Sequence, residues 1–585
     1  MILNTPEKRI HARGYKKLSS FTYLNVTQFL GALNDNIFKL LLVFYFIQIE
    51  GIENSHKILA ASGATFVAPF LLFSTSSGIL ADRFSKRNII ILTKVMELII
   101  MILGVAAFYY QSKLGSFSIL FLLATQSAIF GPSKYGIIPE IVQENKISKA
   151  NGLMTSFTFL AIILGTFLAS FILDITDKNF ILAASMCSFF SLIGLVTSLC
   201  IEYTPPSGSS KKLTLLFIKE IGESLNIARQ EPSLLLAIAG SAFFLFLGAF
   251  TQLNMIPFAV QSLHLTDIQG GYLFLLTAVG IGTGSMIAGK LSGHNVELGL
   301  VPLATIGITI SLYLLDFFSD TLIVIIPMVV IVGLLGGIYQ VPLDSYIQVA
   351  SPNKHRGQIV AVTNVFSFLG VLAASVIVYM VTEVFGLHAD KGFSLVGSIS
   401  LCVSVVFMFQ FFDYLTRYIC MILSKLHFQS TITGLENIPA KSAVYVCQHT
   451  AWNDTLLMLG AQNRRVRFFI EQEQHHHKFF SRLYKLLRVY MLPSIEPLEN
   501  NESTLKAIKK TLNKGISVCI FFENEDIADE IAKLEKSYHF REILEETNTE
   551  MVPVTIEKGT KDKQSRFFTK LMQKIRVPAA INFGE

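Results

Sequence analysis

In the last third of the chain, Gln448-His449-Thr-Ala-Trp452-Asn-Asp454 sets a histidine directly behind an apolar run, Ala443 to Cys447, and an aspartate five positions later. A carboxylate at that spacing can hold one imidazole nitrogen while the other faces a substrate, which is how a general base is oriented. His449 and Asp454 are therefore the candidate catalytic pair, although the spacing alone also recurs by chance. His475-His476-His477 suggests metal at first sight. No acidic or cysteine ligands stand at suitable spacing, so no metal is expected and the run reads as solvated surface. The six cysteines, Cys187, Cys200, Cys402, Cys420, Cys447 and Cys519, form no Cys-x-x-Cys pair and read as small buried hydrophobes.

A second group of reactive types sits where water is scarce. Gln28, Asn34, Asp35, Asn36 and Lys39 interrupt an otherwise apolar stretch. Each ionisable group at membrane depth costs at least ~2.5 kcal/mol, so such groups face a cavity or a partner. Asp35 and Lys39, four apart on one helix face, can partly neutralise each other, as a cavity lining or as a packing pair. Gly131-Pro-Ser-Lys134-Tyr135-Gly-Ile-Ile-Pro139-Glu140 is expected to break a helix, leaving Lys134 to meet an anionic group, to pair with Asp35 or to mark a helix end. Asp344 is either a lining residue or a helix-end charge. A third group, Gly78-Ile-Leu-Ala-Asp82-Arg83-Phe-Ser-Lys86-Arg87, joins a small residue that permits close helix approach to charges that can bond helix ends.

The elements that carry these groups follow from composition. The 585 residues are 52% hydrophobic and 15% charged, with mean hydropathy +0.53. An ordinary soluble chain carries about one-quarter charged residues. Net charge is only +6, scattered over loops, which excludes nucleic-acid binding and fits a membrane surface. Spans of roughly 20 apolar residues are expected near 22–47, 58–81, 88–110, 116–141, 150–173 and 179–201. After the polar segment Glu202 to Pro232, six more follow near 233–258, 269–291, 297–316, 321–347, 357–381 and 393–416. The first apolar run, behind Lys8, Arg9, Arg13, Lys16 and Lys17, exceeds a signal-peptide core and lacks a cleavage site, so it is kept as a span. Lys/Arg excess in alternate loops predicts cytoplasmic termini and a cytoplasmic central linker. The expected organisation is a six-span half at 1–201, a linker at 202–232, a second six-span half at 233–417 and a small cytoplasmic α/β domain at 418–585. In that last domain, strands are expected at Ala443 to Cys447, Val518 to Phe522 and Met551 to Ile556. A basic amphipathic helix is expected around Lys478, Arg482, Lys485, Arg488 and Met491, to lie on anionic lipid, face an acidic protein or simply cover the core.

Two six-span halves and the Gly78 to Arg87 loop resemble the major facilitator superfamily, whose substrate site lies between the halves. Gly78, Asp82, Arg83 and Arg87 match its gating loop. Ala32-Leu-Asn34-Asp35-Asn36 with Lys39, the Gly131 to Pro139 run and Gly336-Gly337-Ile-Tyr-Gln340-Val-Pro342-Leu resemble its LplT branch, the lysophospholipid transporters of Gram-negative inner membranes. That resemblance, over residues 20–416, implies inward flipping of lysophospholipid and a cavity lined by Asn34, Asp35, Lys39, Lys134, Gln340 and Asn364. Residues 425–584 resemble the PlsC-type glycerolipid acyltransferases, which carry the His449/Asp454 pair. Gly515 to Asn524 is similar to their Phe-Pro-Glu-Gly block, which implies acceptor binding at Glu523 and Asn524. Phe522 and Asn524 replace the family's Pro and Gly, and Glu525 and Asp526 stand where an arginine is usual. Loss of that guanidinium argues against a phosphate-monoester acceptor and for a lysophospholipid with a phosphodiester headgroup. The same changes also fit an inactive, lipid-sensing domain. The implied whole is a lysophospholipid O-acyltransferase fused to its transporter, in a bacterial inner membrane. The expected lipids are lysophosphatidylethanolamine or lysophosphatidylglycerol. With no bound cofactor expected, the acyl group arrives ready-made on acyl carrier protein or coenzyme A, or from another phospholipid.

Overall fold

The computed structural model describes residues 19–211, 217–292, 296–439, 442–448, 454–461, 466–471, 490–492, 502–513, 515–522, 527–558 and 577–584. Cα packing separates two units. One runs to Val296 and takes in Ala304–Leu401; the other comprises Glu297–Leu303 and the chain from Cys402 onward.

Twelve helices among the described residues are long and apolar enough to cross a bilayer. The first six are α1 (Ser20–Glu50), α2 (Ser55–Arg83), α3 (Lys86–Tyr109), α4 (Lys113–Gly136), α5 (Ile147–Ile175) and α6 (Phe180–Leu199). A shorter amphipathic helix, α7 (Phe217–Ala228), lies in the connecting segment. The second six are α8 (Pro232–Gln261), α9 (Asp267–Leu291), α10 (Leu300–Phe317), α11 (Leu322–Ala350), α12 (Arg356–Tyr379) and α13 (Ala389–Gln410). Local signals set many ends. The Ser19 hydroxyl accepts from the Thr22 amide to open α1, and Thr266 and Gln269 form a reciprocal capping box on α9.

With no hydrophobic drive between helices in lipid, close packing holds the bundle. Phe38, Tyr45, Phe46, Phe108 and Phe180 interlock α1 with α3 and α6, the Tyr45 ring lying 5.0 Å from Phe108 and 5.2 Å from Phe180. On the other side, α9 and α11 meet backbone to backbone; a Cβ on Gly337 would fall 2.3 Å from the Ile281 carbonyl oxygen. The break expected in the fourth span within the Gly131 to Glu140 run falls late in it, after Gly136, and not at Gly131 or Pro132. Helix α4 runs unbroken through both to Gly136, and the chain turns only at Ile137 before a single helical turn, Ile138–Ile141. A membrane helix tolerates an internal proline because neighbouring groups re-satisfy the freed carbonyl. Cys200 and Cys402 are exposed on the bundle surface rather than buried, while the other four cysteines are buried.

In the second unit, α14 (Phe412–His427) leads into a seven-stranded sheet ordered β1-β7-β6-β2-β5-β3-β4. The strands are β1 (Phe428–Thr433), β2 (Ala443–Gln448), β3 (Val466–Glu471), β4 (Tyr490–Leu492), β5 (Ser517–Phe522), β6 (Glu550–Lys558) and β7 (Val577–Phe583). All neighbours are parallel except β6 and β7. Helices cover both faces, so β2 and β5 read as continuous apolar runs. One face packs Tyr445, Cys447, Cys519 and Phe521 under α14 and α15 (Asp454–Ala461). The other packs Val444, Val446, Val518 and Ile520 under α16 (Glu502–Leu512), α17 (Ile527–Lys536) and α18 (Tyr538–Thr547). Met491, expected on the basic helix, lies instead in β4, paired in parallel with Ile470. The rest of that basic helix and the triple histidine fall outside the described residues.

Candidate transport and acyl-transfer sites

Asp82 ends α2 and reaches across to the other half of the bundle. Its carboxylate accepts from the Gly357 amide at 2.7 Å, the Gln358 amide at 3.0 Å and the Gln358 side chain at 3.2 Å. An anion there meets the unpaired N–H groups and positive dipole end of α12. Gly78 makes the approach possible, since a Cβ on it would fall 2.6 Å from the Ala361 Cβ and 2.7 Å from the Gly357 carbonyl oxygen. Arg87 donates to the Ile201 and Leu199 carbonyls and so caps α6, whereas Arg83 is exposed, stacked over Phe84. Lys86, fully buried, pairs with Glu140 at 2.5 Å and reaches Ser207 at 2.6 Å. A further clasp between the halves links Asn151 of α5 with Ser345 and Gln348 of α11. The central segment joins the clasp: Lys211, ion-paired with Glu220 and Glu223, donates to the Gln358 side-chain oxygen at 3.1 Å. Burial alone would lower the Lys211 pKa, but its two carboxylate partners hold it above the ordinary lysine value. The bundle is thus closed at the end carrying Asp82.

Deeper in the bundle, sequence reasoning missed a fully buried pair on α3. Lys94 bonds Glu97 at 2.5 Å, each side chain 1% exposed. Asn34 donates to Glu97 at 3.4 Å and to Ser191 at 2.8 Å, and the Ser191 hydroxyl donates to Glu97 at 3.2 Å. Asn34 therefore serves a polar knot joining α1, α3 and α6. The i, i+3 spacing of two opposite charges inside an apolar run was the available signal. Asp35 is held by the Ser127 hydroxyl at 2.8 Å, while Lys39 lies over the Phe66 ring at 5.5 Å instead of bonding Asp35. The Lys134 ammonium lies over Tyr135 at 4.6 Å and Phe130 at 5.7 Å.

Between the halves a cavity of about 240 Å³ is lined by Gln340, Asp344 and Asn364 together with Tyr135, Thr158 and Ser241. Phe159, Ile162, Phe244 and Leu245 form its apolar wall. Of the six expected lining residues, the cavity gathers Gln340 and Asn364; Asn34, Asp35, Lys39 and Lys134 sit elsewhere as described.

In the second unit, Asp454 is fully buried at the first position of α15, where a helix N-terminus favours a carboxylate. The last residues of the central strands β2 and β5, Gln448 and Phe522, are register partners. His449, Glu523 and Asn524, which follow them in sequence, lie outside the described residues. Burial pushes the Cys519 thiol well above its ordinary value, with Cys447 and Asp454 adding to the effect. A thiol so held is no nucleophile, which leaves acid–base chemistry to other groups.

The Major Facilitator Superfamily model matches residues 24–375. The chain belongs to the major facilitator superfamily. A second family model, Acyltransferase, matches residues 429–557, so this member of the superfamily carries an acyltransferase domain behind its membrane domain. Among curated proteins, the lysophospholipid transporter LplT of Enterobacter sp. (strain 638) is 27% identical over 308 residues, covering 51% of this chain and 73% of its own length. The LplT of Escherichia coli O9:H4 (strain HS) is 26% identical over 338 residues, covering 55% and 78%. Two solved superfamily structures match the fold. The human organic anion transporter MFSD10 has TM-score 0.56 at 14% identity, over 66% of this chain and 98% of its own. FucP in the outward conformation has TM-score 0.55 at 15% identity, over 66% and 97%. For a major facilitator protein, the Asp82–Gly357 and Asn151–Gln348 contacts join the two halves that rock about a central site.

Proposed function

We propose that the membrane domain moves lysophospholipids inward across a bacterial inner membrane and that the acyltransferase domain restores their second chain on the cytoplasmic side. The supporting observation is the pairing itself: relatives named as lysophospholipid transporters over the membrane domain, and an acyltransferase-family domain behind it. The cavity fits the same reading, because Gln340, Asp344 and Asn364 offer polar contacts to a headgroup while Phe159, Phe244 and Leu245 offer apolar contacts to a single chain.

In the acyltransferase domain, parallel β2 and β5 end side by side, and ligands of such sheets bind beyond the carboxyl ends of the strands. His449 then takes the proton of the free glycerol hydroxyl as the oxygen attacks the thioester carbonyl of an acyl donor. Asp454, anchored on α15, orients the imidazole, and the thiolate of acyl carrier protein or coenzyme A leaves. Glu523 and Asn524 follow β5 and contact the acceptor.

Phe522 supports a second reading. It closes β5 where the acyltransferase block has proline, and with Asn524 in place of glycine it fits a domain that senses lysolipid without acylating it. One experiment separates the two. Purified full-length protein receives labelled lysophosphatidylethanolamine or lysophosphatidylglycerol with acyl-carrier-protein or acyl-CoA donors, alongside His449→Ala. Diacyl product that depends on His449 supports the enzyme; lysolipid binding without product from any donor supports the sensor.

A further inference from the structure

Asp344 and Gln340 stand one helical turn apart on α11 and both face the cavity between the halves. The Gln340 side-chain amide is committed: its Nε2 donates to Asp344 at 2.8 Å and to the Ser241 hydroxyl at 3.3 Å. That arrangement fixes its orientation, because a carboxylate can only accept. The Gln340 carbonyl oxygen is left buried without a partner on a residue only 8% exposed. A buried acceptor left unmade is costly, so a built site of this kind stands ready for a donor. The cavity thus holds, side by side, a carboxylate and an unsatisfied carbonyl, with the Asn364 amide and the Ser241 and Thr158 hydroxyls nearby. The charge that acts on Asp344 is Lys134, which makes no ion pair with it and lies over Tyr135 and Phe130.

We infer that Asp344 and the Gln340 carbonyl form a subsite for a monovalent cationic group, brought in either as the ammonium of a zwitterionic headgroup or as a free alkali-metal ion. Two adjacent acceptors of this kind suit a donor-only ligand: an ammonium gives up to three hydrogen bonds, and an alkali ion takes oxygen ligands alone. The inference rests on the lysophospholipid reading and sharpens it, because it predicts which part of a headgroup the second half of the bundle recognises.

The test uses full-length protein in liposomes, with uptake of lysophosphatidylethanolamine and of lysophosphatidylglycerol measured in sodium and in choline buffers, for wild type, Asp344→Asn and Asp344→Glu. If the ammonium is the ligand, Asp344→Asn loses about tenfold or more of lysophosphatidylethanolamine uptake, the worth of one charge-assisted bond, and a several-fold smaller share of lysophosphatidylglycerol uptake. Retained uptake of one lipid also shows that the variant is folded, and Asp344→Glu recovers part of the loss. If a free ion is the ligand, wild-type uptake of both lipids depends on sodium and Asp344→Asn abolishes that dependence. Equal uptake of both lipids by wild type and Asp344→Asn, or equal loss of both without any sodium dependence, overturns the subsite. Wild-type protein that moves neither lipid overturns the lysophospholipid reading beneath it.

Discussion

Asp35 shows how a residue can be singled out by its chemistry and still be placed by packing. Its type and depth mark it in the sequence, but Ser127 on α4 holds it, and the lysine four residues on turns to an aromatic ring. Sequence spacing allows a contact on one helix; the neighbouring helix decides whether it forms. At this scale the two activities are expected to separate. His449→Ala abolishes acyl transfer and leaves lysolipid uptake intact, while Asp35→Ala does the reverse, read by parallel product and uptake assays. Asp454→Asn keeps the buried site filled and lowers kcat by about 10²–10⁴-fold, as expected for a base that has lost its orienting carboxylate. An unchanged kcat in that variant would exclude Asp454 from the chemistry.

Elements carry the closed end and the polar knot. In α3, Glu97→Gln strands the Lys94 charge in the bundle, and breaking a buried pair from one side costs about 3–5 kcal/mol. Thermal unfolding in detergent should therefore fall well below wild type for Glu97→Gln and recover in the double variant Lys94→Met/Glu97→Leu; equal stability of all three would contradict a buried pair. At the closed end, Asp82→Asn removes the charge that caps α12, and Lys211→Ala removes the tie from the central segment to Gln358. Both are expected to raise the labelling rate of a cysteine introduced at Ala361, which is fully buried beside Gly78. An unaltered rate would mean that other contacts hold this end shut. The spans themselves were legible, because a bilayer demands long apolar helices whatever they pack against. Their interruptions were not. The Gly131 to Glu140 run was read as a break, but that α4 passes through Pro132 and stops only at Gly136 is decided by tertiary neighbours in lipid, which no local pattern reports. Likewise Lys94 and Glu97 passed unnoticed inside an apolar run, while more frequent polar residues in α1 drew attention.

At the scale of the whole molecule, two compact units share one chain. The strand-length runs of the second unit marked an α/β domain, and β2, β5 and β6 fall where those runs were expected. The face that each strand residue takes, and the meeting of β2 and β5 ends, depends on strand order, which hydropathy does not encode. The order matters for function: it sets the last residues of β2 and β5, Gln448 and Phe522, side by side, although they are separated by about seventy positions in sequence. If delivery and acylation are linked, the intact chain should convert lysolipid supplied outside a vesicle to diacyl product at a rate limited by uptake. Asp35→Ala should then block product from outside-supplied lysolipid but not from lysolipid presented directly to the acyltransferase domain.

The most direct measurement is the formation of diacyl phospholipid by purified full-length protein, wild type against His449→Ala, from labelled lysophosphatidylethanolamine or lysophosphatidylglycerol with a thioester donor. Product from wild type, abolished in His449→Ala while lysolipid uptake persists, is the predicted result. Equal product from both proteins, or none from wild-type protein that still binds lysolipid, would contradict a transporter that repairs what it carries.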